Sequence, residues 1–280
     1  MKPILITGAN GQLGTCIRKR LGGRPAICVD YEDLDISDEN AVKKFFQQYE
    51  IGTIINCAAY TAVDQAEDDL NAAMKTNVVG PMLLSKYGRR IIHISTDYVF
   101  DGAARKPYNE NSMTNPLSVY GTTKFTGERA VLKYAEAAAV IRTSWLYSEY
   151  GNNFVKTMQR LGAERKTLDV VCDQIGTPTY AGDLADVILK IADEIPADFR
   201  EIYHYSNEGE CSWYDFARAI MEISELKCKV KSIKSKNYPQ KAARPQYSVL
   251  SKSKIKSQFD IVIPHWRDSL VKCIQKGKIK

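Results

Sequence analysis

The chain lacks the signatures of a membrane-spanning, disulfide-stapled or disordered protein. No run of 18 or more apolar residues occurs in its 280 residues, so no helix is expected to cross a membrane. The first apolar stretch, Pro3 to Thr7, is too short for a signal-peptide core, and no small-residue cleavage site follows it. A cytoplasmic location is therefore expected. The seven cysteines are odd in number and widely spaced, with no CxxC, which fits reduced thiols rather than a disulfide framework. Only three histidines are present, His93, His204 and His265, isolated from one another and from the cysteines. That spacing indicates no metal centre and leaves the three with structural roles. No internal repeat or low-complexity tract is present, which excludes solenoids.

The chain has an ordinary balance, 44% hydrophobic and 26% charged, in a length that suits one large domain or two small ones. Its net charge of +6, from 39 basic and 33 acidic residues, does not mark a nucleic-acid binder. The excess is local: residues 227–256 hold ten basic residues and no acid. Most of these lysines read as a solvated edge. Arg244 is the exception, expected to face an anionic ligand.

Through residue 145, short β-branched runs alternate with helical patterns. Strands are expected at 3–7, 26–30, 53–57, 90–95 and 139–143, and helices at 12–21, 39–49, 67–87 and 118–137. The strand runs are almost continuously apolar, as strands buried on both faces are. The fold class is therefore α/β, a Rossmann-type doubly wound parallel sheet, with ligands beyond the carboxyl ends of its strands. Gly80-Pro81 is a helix-breaking pair inside the third helix. Beyond residue 145 the alternation loosens, with helices at 152–162, 182–194 and 212–224 and a strand at 201–205. Residues 1–146 read as a dinucleotide-binding domain. Residues 147–280 read mainly as a smaller α/β substrate lobe, some segments of which return to the first domain.

Three clusters carry chemistry. Gly8-Ala9-Asn10-Gly11-Gln12-Leu13-Gly14 joins the first strand to the first helix, where glycines permit a tight turn and close approach of a pyrophosphate. Asp30, ending the second strand, stands where a carboxylate accepts from an adenosine ribose. Asn56-Cys57-Ala58-Ala59-Tyr60-Thr61 offers small residues at a strand end, against which a cofactor can lie flat. Tyr120 and Lys124 share a helix face at i and i+4, just after a strand that ends Ser95-Thr96-Asp97. A free phenol titrates near 10, and bringing it to neutrality takes roughly 4 kcal/mol, which a nearby ammonium helps to supply.

Together these clusters resemble the extended short-chain dehydrogenases/reductases. Later motifs narrow the resemblance: Val63-Asp64-Gln65-Ala66-Glu67, Arg142-Thr143-Ser144-Trp145-Leu146-Tyr147, Gly151-Asn152-Asn153-Phe154, Asp173-Gln174-Ile175-Gly176-Thr177-Pro178-Thr179 and Ala243-Arg244-Pro245. They are similar to the branch that reduces a dTDP-linked 4-keto sugar in dTDP-L-rhamnose synthesis, and they span essentially the whole chain. The resemblance implies that Gly11, Gln12 and Leu13 meet the cofactor pyrophosphate, beside Gly8. Asp30 would hold the ribose, Asp35 and Ile36 would lie near the adenine, and Ala58, Ala59, Tyr60 and Thr61 would line the nicotinamide side. Tyr120 would give the proton, and Lys124 would hold the nicotinamide ribose. Thr96, Asp97 and Tyr98 would contact the sugar, with Trp145 closing over it. Asn153, Lys156 and Arg244 would lie toward the nucleotide.

Related nucleotide-sugar dehydratases place a carboxylic acid after the Thr-Asp pair, and here that place holds Tyr98. A phenol is a poor acid for expelling a hydroxyl, so reduction is favoured over dehydration or epimerisation. Some relatives are non-catalytic regulatory subunits; the complete Thr96, Tyr120 and Lys124 set argues against that role here. Asp30 disfavours a 2′-phosphate, and Arg18, Lys19 and Arg20 nearby either offset it or form a solvated helix face; the resemblance implies use of both NADP(H) and NAD(H). Some relatives hold Mg²⁺ at a dimer contact, but no ligand cluster in this sequence calls for it. The expected partner is a dTDP-sugar, with a homodimer open and neither nucleic acid nor membrane involved.

Overall fold

The computed structural model describes residues 2–278. Strands β1 (Ile4–Thr7), β2 (Ala26–Val29), β3 (Thr53–Asn56), β4 (Arg90–Thr96) and β5 (Ala137–Thr143) occupy the first half. The second half carries β6 (Leu146–Tyr147), β7 (Thr167–Val171), β8 (Ile175–Gly176), β9 (Thr179–Tyr180), β10 (Arg200–His204), β11 (Cys211–Ser212) and β12 (Lys229–Ile233). Helices α1 (Gln12–Arg18), α2 (Glu39–Gln48), α3 (Val63–Ala66), α4 (Leu70–Met74), α5 (Gly80–Tyr87) and α6 (Val119–Tyr134) connect the early strands. Helices α7 (Phe154–Glu164), α8 (Ala181–Glu194), α9 (Trp213–Ile223), α10 (Ser253–Phe259) and α11 (Trp266–Lys278) follow. No helix among the described residues is long and apolar enough to cross a membrane.

A six-stranded sheet runs in the order β2-β1-β3-β4-β5-β10, with every neighbouring pair parallel. Alternation along each strand sends side chains to two cores. Ile4, Ile6, Ile92 and Ile141 meet Leu13 and Ile17 of α1, Leu184 and Ile188 of α8 and Phe259 of α10. Leu5, Ile54, Ile91 and Val140 meet Val42 of α2, Leu84 of α5 and Val131 of α6 on the opposite face. Strand order reverses between β1 and β3, so a crevice opens there at the carboxyl ends.

β10, α8 and α10 come from beyond residue 147 yet belong to this sheet or its first core. Much of the rest of the second half has a core of its own, in which Val155, Phe216, Ile220 and Leu270 gather beside the β7–β12 pair.

The continuous helix expected over 67–87 is not what forms. Its span breaks after Glu67, restarts at α4 and passes through a π-helical turn, Lys75–Val79, before α5. The Gly80 N–H reaches Lys75 O, the wide closure of a π turn. Pro81 then falls at the start of α5, where its missing N–H costs little. Gly80 acts as a space-maker: a Cβ there would meet Ile36 Cδ1 at 2.5 Å.

Candidate active site

A cavity of about 770 Å³ fills the crevice from Asp30 to Trp145 and Trp213. The glycine turn forms its floor. Gly8 has φ +62°, and a Cβ there would stand 2.7 Å from Ala58 N. Gly14 lets α1 press on that turn, since a Cβ would meet Gly8 O at 2.3 Å. Gly11 begins α1 with no side-chain cap, which leaves the first helical N–H groups open toward the cavity. An open helix start and backbone stripped of side chains both fit a dinucleotide pyrophosphate.

The adenosine end is more tied down than the sequence suggests. Asp30 accepts from Asn10 N and Tyr31 N, both at 2.9 Å, and still lines the cavity. Asp35 also lines it, but its Oδ1 accepts from the Ser37 hydroxyl at 2.7 Å and from Ser37 N at 2.9 Å. Ile36 completes this wall.

Two buried asparagines hold the small-residue loop that carries Ala58, Ala59, Tyr60 and Thr61, all on the cavity wall. Asn56 Oδ1 accepts from the Thr7 hydroxyl at 2.7 Å and from Ala58 N at 3.2 Å, while its Nδ2 meets His93 Nδ1 at 3.0 Å. Asn77 Oδ1 accepts from Tyr60 N at 2.9 Å, and its Nδ2 donates to Tyr60 O and to the Thr123 hydroxyl. Asn77 lies in the π turn, whose extra residue carries no sequence signature.

Ser118 caps α6 by accepting from Gly121 N, and so fixes the first turns that carry Tyr120 and Lys124. The Thr96 hydroxyl lies 3.1 Å from Asp97 Oδ1 and accepts from Tyr98 N at 3.2 Å, on the same cavity wall as the Tyr120 phenol. Burial pushes the Tyr120 phenol above its ordinary range, and the Asp97 charge adds to that rise. The lowering expected from Lys124 does not occur in the protein alone. The Lys124 ammonium donates instead to Ile94 O at 2.6 Å, and burial draws it down to about 8 against the pull of Glu128. A phenol kept protonated suits a proton donor. Burial also raises Asp97 to about 6, opposed by the nearby Thr96 and Ser248 hydroxyls, although its Oδ2 has no hydrogen-bond partner among the described residues.

Behind Lys124 lies a fully buried ion pair that the sequence reading missed. Arg142 of β5 grips Glu128 of α6 with Nε at 2.9 Å and a terminal nitrogen at 2.7 Å, and the Ser95 hydroxyl donates to the same carboxylate at 2.5 Å. Glu128 stands four residues after Lys124, a spacing that could have drawn attention to it. Trp213 is the other omission. It lines the cavity from α9 and stacks on Trp145, with ring centroids 3.6 Å apart.

Thr96, Asp97, Tyr98 and Trp145 line the cavity as expected of them, whereas Asn153 and Arg244 do not. Asn153 caps α7, and its Nδ2 donates to Gln12 Oε1 and to Ser148 O. Arg244 pairs with Asp64 at 2.7 Å and donates to the Tyr98 hydroxyl at 3.2 Å, so it stands behind the wall rather than in it. Lys156 is exposed.

A Rossmann sheet with a tyrosine–lysine helix at its crevice places the chain among the extended short-chain dehydrogenases/reductases. More closely, it belongs to the family described as RmlD substrate binding domain, whose model matches residues 1–279. A dTDP-4-dehydrorhamnose reductase of Aggregatibacter actinomycetemcomitans is 42% identical over 96% of this chain and 97% of its own length. The crystal structure of a dTDP-4-dehydrorhamnose reductase from Clostridium acetobutylicum matches with a TM-score of 0.94 at 43% identity, covering 99% of each chain. That of the Bacillus anthracis dTDP-4-dehydrorhamnose reductase in complex with NADP matches with a TM-score of 0.94 at 37% identity, covering 98% of this chain and 99% of that one.

Proposed function

We propose that this chain reduces the C4 ketone of dTDP-4-dehydro-L-rhamnose to give dTDP-L-rhamnose, using NADPH or NADH. The observation that carries this reading is the Tyr120 phenol, kept protonated by burial and sharing the wall of a dinucleotide-sized cavity with Thr96 and Lys124. Bound in that cavity, the reduced dinucleotide supplies the hydride. Tyr120 gives its proton to the C4 oxygen, and Thr96 hydrogen-bonds the same oxygen as negative charge develops on it. Lys124 holds the nicotinamide ribose, and Asp30 holds the adenosine ribose. Asp97 and Tyr98 contact the sugar, and Trp145 covers it.

Arg244 acts on the sugar through Tyr98, whose hydroxyl accepts its hydrogen bond. Residues 1–146 serve the cofactor, and residues 147–280 serve mainly the sugar nucleotide. Tyr98 supports reduction over dehydration, because no carboxylic acid follows Asp97 to expel a hydroxyl. The NADP complex of the Bacillus anthracis relative supports the phosphorylated cofactor. Asp30 at the cavity wall supports NADH as the alternative.

Steady-state assays with dTDP-4-dehydro-L-rhamnose test the reading. Tyr120→Phe is expected to lose about 10²–10⁴-fold in kcat while still binding NADPH. Turnover near that of the unaltered protein would overturn the role of Tyr120.

A further inference from the structure

Among the described residues, Trp213 is the one large cavity-wall side chain of the second half that the mechanism above gives no task. Its surroundings are built to hold it still. It is the first residue of α9, whose Ser212 and Asp215 form a reciprocal capping box. β11, just before it, pairs antiparallel with β8, setting Cys211 opposite Gly176 and Ser212 opposite Ile175. Its ring leans on Phe154, with centroids 4.6 Å apart, and Phe154 stacks on the buried Phe216 at 5.6 Å.

The free face of Trp213 meets Trp145 in a near-parallel stack, with centroids 3.6 Å apart and planes 12° apart. Trp145 needs such support. Its backbone is in the left-handed region at φ 47°, which an L residue with a side chain disfavours. Gly176 also makes room for its indole: a Cβ there would stand 2.7 Å from Cε2 and Cζ2. A continuous aromatic path therefore runs from the second core through Phe154 and Trp213 to the Trp145 indole at the cavity wall.

We propose that Trp213 is a positioning residue that fixes Trp145 over the sugar end of the cavity, together with the gap at Gly176. The inference rests on the reading that Trp145 covers the sugar. Trp213 acts on the sugar through Trp145, so its loss falls on binding of the keto sugar rather than on hydride or proton transfer. It also leaves the cofactor site intact, which is formed by other elements.

The test uses the full chain, with NADPH and dTDP-4-dehydro-L-rhamnose. Trp213→Ala is expected to raise KM for the sugar at least about tenfold, to change kcat by less, and to leave the NADPH Kd unchanged. The far-ultraviolet circular dichroism couplet expected of the stacked indoles should vanish with it. Trp213→Phe, which keeps a flat ring, should restore most of the KM without the couplet. An unaltered KM in Trp213→Ala, with the couplet gone, overturns the inference. Should the alanine variant fail to fold, Trp213→Leu takes its place, and an unaltered KM there has the same force. Absence of turnover in the unaltered protein defeats the functional reading instead, so the two failures are distinct.

Discussion

Asn153 reaches back across 141 residues to donate its amide to Gln12 Oε1 at 3.0 Å. The Ser148 hydroxyl lies 3.1 Å from the same oxygen. Gly151, at φ +59°, closes the loop over this side chain, since a Cβ there would stand 3.2 Å from Gln12 Cγ. With its oxygen taken by two donors, the Gln12 amide keeps its NH₂ as the group to offer an anion. The second half thus sets the orientation of a side chain on the first helix, at the cavity wall.

Asn153→Ser keeps an oxygen to cap α7 and removes the amide donor. Loss of one such hydrogen bond, worth about 1 kcal/mol, should weaken NADPH binding roughly fivefold, read by fluorescence titration. Gln12→Ala should weaken it as well, and the two changes together should be less than additive. An unchanged Kd in the serine variant would contradict this coupling.

Lys124 has a depressed pKa of about 8, so its cationic form prevails at neutral pH and is lost as pH rises through 8. The kcat/KM for the cofactor is therefore expected to fall on the alkaline side of about pH 8. Lys124→Arg keeps the charge at every accessible pH. Its rate should be lower, and its alkaline limb should move upward. A limb that stays near 8 in the arginine variant would assign it to another group.

Asp97 has the opposite signature, raised by burial from 3.8 to about 6. Between those values the folded chain holds the proton more often than the unfolded chain does. Stability from this group is full below about pH 4 and is lost as pH rises through 6. Asp97→Asn removes the effect. Its stability relative to the unaltered protein should grow by as much as about 3 kcal/mol between pH 4 and pH 7. Urea unfolding at several pH values measures it, and a difference that does not vary with pH would refute it.

The Glu128–Arg142 pair is buried, with side chains 0% and 2% exposed. Glu128→Gln leaves the guanidinium without its counter-charge and should cost about 3–5 kcal/mol in urea unfolding. Replacing both partners together, as Glu128→Leu with Arg142→Met, should recover much of that loss. Equal losses in the single and double variants would show that the charges are not what matters.

Much of the architecture was written locally. The five early strands lie within two residues of where their apolar runs ended, because a strand buried on both faces has to be apolar throughout. The glycine turn between β1 and α1 and the helix face shared by Tyr120 and Lys124 are legible for a similar reason: each is set by residues a few positions apart. The helix over 67–87 was not, because a π turn inserts one residue without altering composition.

Chain distance hid the rest. Asn153 and Arg244 each engage a residue of the first half that their local sequence does not reveal, Asn153 engaging Gln12 and Arg244 engaging Asp64 at 180 residues' separation. Trp213 looked like any aromatic residue at the start of a helix until β11 paired with β8 and brought it onto Trp145. The sequence by itself determined the sheet, the cofactor turn and the tyrosine–lysine helix, since periodicity and spacing are local properties. Only the tertiary structure decided which second-half side chains form the cavity wall and which brace it, because those partners are chosen by packing between segments far apart in the chain.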